Sequence, residues 1–102
     1  MYKLCFYVPD SHLERVKEAL FKSGAGRIGN YDCCAWQVKG QGQFRALEGS
    51  NPFIGRINEV ETVSEYKVEM VFEDRLREQI IRALKESHPY EEPAYDIWRL
   101  EN

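Results

Sequence analysis

The sequence predicts an α+β domain of the ferredoxin-like type, built as a repeated β-α-β unit: an antiparallel sheet with two helices on one face, plus a β-hairpin extension. Three observations lead there. Extended segments with period-two apolar alternation enclose two segments whose apolar residues recur at helical spacing. Their order is strand, helix, hairpin, long strand, helix, strand, which makes two β-α-β halves with an antiparallel join. No linker, repeat or low-complexity stretch divides the 102 residues, so residues 1–102 form one domain.

In the first strand Tyr2, Leu4, Phe6 and Val8 alternate with Lys3, Cys5 and Tyr7. Pro9-Asp10-Ser11 breaks it, and Ser11 with Glu14 has capping-box spacing, so a helix is expected over about 11–23. Leu13, Val16, Ala19 and Leu20 form its buried face, and Gly24 ends it. Gly24, Gly26 and Gly29 spell a dinucleotide-like fingerprint. They follow a helix and precede a strand, which is the reverse of what a phosphate cradle needs. They are read instead as positive-φ residues of a tight connection.

Cys34, Trp36 and Val38 start a second strand near 33–39. Lys39-Gly40-Gln41-Gly42 reads as a turn and Phe44 and Ala46 as a return strand near 43–47, so 34–47 is expected to be a hairpin. Glu48 to Gly55 has loop chemistry, with Phe53 and Ile54 as apolar residues in need of cover. A long strand is expected over 60–72, its inward row Tyr66, Val68, Met70 and Phe72. Asp74 is expected to cap a helix over 74–87 with Leu76, Ile80, Ala83 and Leu84 buried, stopped by Pro89. A last strand follows near 94–100. The sheet face away from the helices carries Cys5, Tyr7 and Trp98, a candidate self-association surface.

Composition narrows the function. Hydrophobic residues at 43% and charged residues at 30% belong to a folded globular chain. The net charge is −3, and Arg75, Arg77, Arg82 and Lys85 are interleaved with Glu73, Asp74, Glu78 and Glu86. That is a solvated helix face and not a phosphate track, so no nucleic acid is expected as partner. No apolar run approaches the ~20 residues that span a bilayer, so no membrane association is expected. Three cysteines, two of them adjacent, suit a reducing, cytoplasmic location.

The segment from Ser87 to Asp96 concentrates an imidazole, carboxylates and phenols between two prolines. His88 with Glu91 could take a divalent metal, zinc or copper, through nitrogen and oxygen. The plain alternative is a helix stop with a cationic His88 at the C-terminal end of the helix dipole. Asn30, Tyr31 and Cys34 on one turn, Glu48 and Asn51 on the loop, and Tyr90 and Glu92 on the last connection are the candidate ligand-binding residues. A nucleophile would require Cys34, or its neighbour Cys33, to meet His88. His12 is expected to be exposed and inert.

Gly24 to Tyr31, Gly40 to Arg45, Glu48 to Gly55 and His88 to Asp96 together resemble the domain inserted in the middle of long Nif-three-like (YqfO-type) bacterial proteins. The resemblance runs from Tyr2 to Leu100 and suggests a free-standing version of that domain. It implies a fold similar to CutA and PII proteins, and with it a homo-oligomer, a trimer first and a dimer second, with a metal or small-ligand site at subunit junctions. The longer proteins carry a dinuclear metal site in flanking halves that have no counterpart in this sequence. Their pattern has histidine where this chain has Arg27. The expectation is therefore a non-catalytic, oligomeric module that binds a small ligand, a metal or a protein partner. The alternatives are a small metal-dependent or cysteine-based enzyme and a purely structural interaction domain.

Overall fold

The order of elements follows from where alternation gives way to helical spacing. A computed structural model describes residues 1–102. Strand β1 (Tyr2–Pro9) leads through a short 3-10 turn into helix α1 (Leu13–Lys22). Strands β2 (Trp36–Arg45) and β3 (Val60–Phe72) follow, then a second 3-10 turn, helix α2 (Arg77–Ser87) and strand β4 (Tyr95–Arg99). The sheet order is β2-β3-β1-β4 and every pairing is antiparallel, which is the ferredoxin-like arrangement.

The helices pack on each other and on one face of the sheet. The core lies between: Leu4, Phe6 and Val8 from β1, Val68, Met70 and Phe72 from β3, Val16 and Leu20 from α1, and Ile80 and Leu84 from α2. These are the alternating strand residues and the i, i+4 helix residues that the sequence singles out, so burial of the apolar rows is what docks each element.

The β-hairpin extension exists, but it is not the local one expected within 34–47. Residues Trp36–Arg45 form one unbroken strand, paired residue for residue with Val60–Glu69. Gly40 and Gly42 do not turn; neither has positive φ. The outer five residues of β3, Val60 to Ser64, lie beyond the last β1–β3 pair, Pro9↔Glu65, so β2 and β3 project together as a two-stranded ribbon. The molecule is accordingly elongated, 46 × 24 × 24 Å.

Two capping expectations also change. Ser11 Oγ bonds His12 Nδ1 at 2.8 Å instead of capping α1, and neither helix has a side-chain cap. Asp74 turns outward to Arg99 Nη1 at 2.8 Å and to the terminal amino group at 2.6 Å. The glycine reading holds: Gly24, Gly26 and Gly29 have φ of 104°, 78° and 56°. At Gly26 a Cβ would sit 2.8 Å from the Phe21 ring and 2.9 Å from the Cys34 carbonyl, so both backbone angle and space require glycine.

On the face away from the helices, Trp36, Glu69, Cys5 and Asp96 align in one row across four strands, and Val38, Lys67 and Tyr7 in the next. Trp36 is 59% exposed and Trp98 44%. No helix is long and apolar enough to cross a membrane.

Candidate functional site

The site begins where α2 stops. Pro89 forces His88 out of the helix, to φ −77° and ψ 137°, and this swings its ring under the end of β1. Nε2 lies 2.6 Å from the Tyr7 carbonyl oxygen, and Nδ1 lies 3.1 Å from the backbone nitrogen of Tyr90. A carbonyl only accepts and an amide N–H only donates. Nε2 therefore carries the proton and Nδ1 accepts, so the ring is the neutral Nε2–H tautomer. Burial holds its pKa below the usual histidine value, helped by His12 and opposed by the bond to Tyr7. His88 is thus not a cation on the helix dipole.

The ring sets Tyr90, whose centroid is 4.9 Å from that of His88 and 6.3 Å from those of Phe44 and Phe53. Phe53 in turn meets His12 edge-on at 5.5 Å, which is the cover that the loop needs and gives His12 a packing role. The 48–55 loop is held from both sides. Ser50 Oγ and Ser50 N both donate to the Leu47 carbonyl, at 2.6 and 3.1 Å, around Gly49 at φ 92°. The Glu91 carboxylate accepts from the Asn51 backbone N–H at 3.2 and 3.3 Å.

Between this loop, the turn after α2 and the open face of the sheet lies a cavity of about 640 Å³. Its walls include the aromatic residues Tyr7, Phe44, Phe53 and Tyr90, with Pro52, Ile54 and Ala94. Glu65 reaches into it from β3. Its carboxylate occupies the space above Gly42, where a Cβ would fall 2.0 Å from Oε1. Glycine in the strand therefore marks a close approach, not a turn. Glu65 has no ion pair and no hydrogen bond of good geometry. Burial pushes its pKa up, an effect tempered by the nearby Tyr90 hydroxyl. Tyr90 Oη is itself buried without a hydrogen-bond partner, and burial together with the Glu65 charge pushes it up to about 12.

The expected site residues divide into two places. Tyr90, Glu91 and Glu92 line the cavity. Asn51 joins them only through its backbone, and Glu48 is exposed on the same loop outside the lining. Asn30, Tyr31 and Cys34 belong to a different region. Gly29-Asn30 form a two-residue turn closed by Ile28 and Tyr31, and Tyr31 is 75% exposed. Cys34 N bonds the Gly26 carbonyl beside Val71, and its Sγ reaches only the Asp32 carbonyl, at 3.6 Å. No hydrogen bond joins Cys34 to His88. The metal reading of His88 and Glu91 does not fit the donors: both imidazole nitrogens are used by backbone groups, Glu91 is bonded to Asn51, and no group of three or more His, Cys, Asp or Glu converges anywhere. Sequence reasoning missed Glu65 and Phe44, which look like ordinary members of alternating strands. The signal that pointed to them was Gly40-x-Gly42 inside a strand pattern.

No family model matches the sequence. A protein of Halalkalibacterium halodurans described as "GTP cyclohydrolase 1 type 2 homolog" is 46% identical over 102 residues, which is 100% of this chain and 27% of that protein. The chain thus spans about a quarter of the length of the curated relatives it matches. A Bacillus cereus protein related to NIF3 superposes with a TM-score of 0.85 at 38% identity, over 99% of this chain and 26% of its own. The PII-like protein CutA from Nostoc sp. superposes at 0.71 and 18% identity, over 100% of this chain and 83% of its own, a likeness of fold alone.

Proposed function

We propose, from the premise that this chain is a NIF3-related segment with a CutA-like fold, that it is a non-catalytic ligand-binding module whose site is the cavity beside Tyr90. The observation that carries this reading is the Glu65 carboxylate, without an ion pair, held over Gly42 inside an aromatic-walled space of about 640 Å³. That volume falls in the ordinary range for small-molecule sites, ~300–1,000 Å³. An enzyme reading finds less support: His88 spends both nitrogens on backbone groups, and the hydroxyl that meets an imidazole, Ser11 on His12, is exposed and outside the cavity lining.

The test is a set of melting curves against amines, carboxylates, nucleotides, zinc and copper. A ligand at 100 times its dissociation constant stabilises the fold by ~2.7 kcal/mol. A shift with at least one organic class, abolished by filling the cavity, supports the reading. A flat response across the panel favours the structural domain instead.

The module also self-associates in this reading, as a trimer first and a dimer second. The open sheet face, with Trp36, Val38 and Trp98 exposed, is apolar enough to be hidden against a copy of itself. Light scattering that returned a 12.0 kDa particle at tens of micromolar would count against it. Free Cys5, Cys33 and Cys34 fit a cytoplasmic setting.

A further inference from the structure

We infer that the occupant of this cavity is an organic cation: an ammonium or guanidinium group on an apolar body, its charge seated at Glu65 and its body against Phe44, Phe53 and Tyr90. The inference rests on the ligand-binding reading above and adds the chemical class.

Four observations converge on it. Glu65 is half-buried and lacks a counter-ion, although the chain supplies one to other carboxylates: Lys3 and Lys67 both pair with Glu69, on the same sheet face. A desolvated carboxylate gains most from a cation brought to it. Gly42 leaves the room that keeps Glu65 in this position, since any side chain there would displace the carboxylate. Four aromatic residues, Tyr7, Phe44, Phe53 and Tyr90, line the cavity, and an aromatic π face attracts a cation and repels an anion. Finally, the lining holds three carboxylates, Glu65, Glu91 and Glu92, against one guanidinium, the exposed Arg45. A phosphate or carboxylate ligand meets the wrong field. A bare metal ion meets one half-buried carboxylate among rings, well short of the several oxygen, nitrogen or sulfur donors that calcium or zinc requires.

The same chemistry could arrive on a free amine or on a lysine or arginine side chain of another protein segment. The experiment therefore titrates the protein, followed by NMR, with n-butylammonium, n-butylguanidinium and neutral n-butanol. It then adds the Nα-acetyl N-methylamides of lysine and arginine as side-chain mimics. The expected result is saturable binding of the charged probes and none of butanol, with shifts centred on residues around Glu65 and Tyr90. Tighter binding of the simple cations points to a free amine, and tighter binding of the amides to a protein side chain. Glu65→Gln should weaken the charged probes at least tenfold without lowering the melting temperature of the empty protein, and Gly42→Ala should do the same by pushing the carboxylate aside. Butanol binding as well as butylammonium, or an indifferent Glu65→Gln, overturns the cation and leaves the ligand site standing. Silence from every probe, with a response to a carboxylate or nucleotide in the wider panel, overturns the cation; silence from the wider panel too overturns both.

Discussion

His88 and the Tyr7 carbonyl are joined at 2.6 Å, one residue past the last β1–β4 pair, Phe6↔Tyr95. A side chain from the end of α2 thereby continues the bonding of β1 where β4 has not yet begun. The same imidazole accepts the Tyr90 N–H, so one neutral ring ties helix, strand and cavity wall together.

Stability should fall in mild acid through this group. The folded pKa of His88 is lowered below 6.5, so the unfolded chain binds the proton more readily. The contribution is complete above the unfolded value and is lost as pH falls from about 6.5 through the lower folded value. Chemical denaturation at pH 7.5, 6.5 and 5.5 should show this decline. It should vanish in a His88→Ala background; a decline of equal size there would assign it to other groups.

His88→Ala should itself destabilise the protein at pH 7.5 by about 2–4 kcal/mol. It leaves the Tyr7 carbonyl and the Tyr90 amide, both shielded by this ring, without partners, at roughly 1–3 kcal/mol each. Had the residue been only a cation on a helix dipole, the loss would be nearer ~0.5 kcal/mol. Urea unfolding distinguishes the two figures.

Tyr90→Phe should be neutral or stabilising by about 1 kcal/mol, because Oη is buried with no partner and its removal abolishes a desolvation cost. Tyr90→Ala, which removes the ring as well, should cost near the low end of ~3–5 kcal/mol. Thermal melts of the two variants moving in the same direction by the same amount would contradict this assignment.

Glu65 responds to pH with the opposite sign. Its folded pKa is raised above 4.5, so its contribution is complete below that value and is lost as pH rises through the folded pKa. At neutral pH the empty protein bears the penalty of a charged, shielded carboxylate. Glu65→Gln should therefore leave the melting temperature at pH 7 unchanged or raised, and a clear drop would mean that the carboxylate has a structural partner.

Much of the fold was legible because its apolar rows have one period each. β1, the inner half of β3 and α2 declare themselves through Leu4-Phe6-Val8, Val68-Met70-Phe72 and Ile80-Leu84. β2 did not. Its glycines imitate a turn, and only the facing residues of β3 reveal that Gly42 is small to admit Glu65. The site was half legible for the same reason. The turn after α2 is conspicuous in composition, and Tyr90, Glu91 and Glu92 do line the cavity. Glu65 lies on a row shared with Lys67 and Glu69, which by sequence alone is a solvated face. Which member of such a row is shielded depends on what crosses above it, and that information is non-local. Asn30 and Tyr31, read in the sequence as ligand-binding residues, sit at a closed two-residue turn outside the cavity lining.

The projecting ribbon gives the cavity walls of unequal stiffness. Tyr7 stands on β1, paired with β3 on one side and bonded through its carbonyl to His88 on the other, whereas Gln41 to Arg45 and Val60 to Ser64 have only each other. A two-stranded ladder without a third strand behind it is marginal by itself. Its amides should open and exchange with solvent long before those of Leu4 or Val68, by local fraying and without global unfolding. A guest held between Phe44 and Tyr90 would bridge the soft wall to the firm one, and its arrival would be recorded as slowed exchange along the outer ribbon, including Val60 to Ser64, which do not line the cavity.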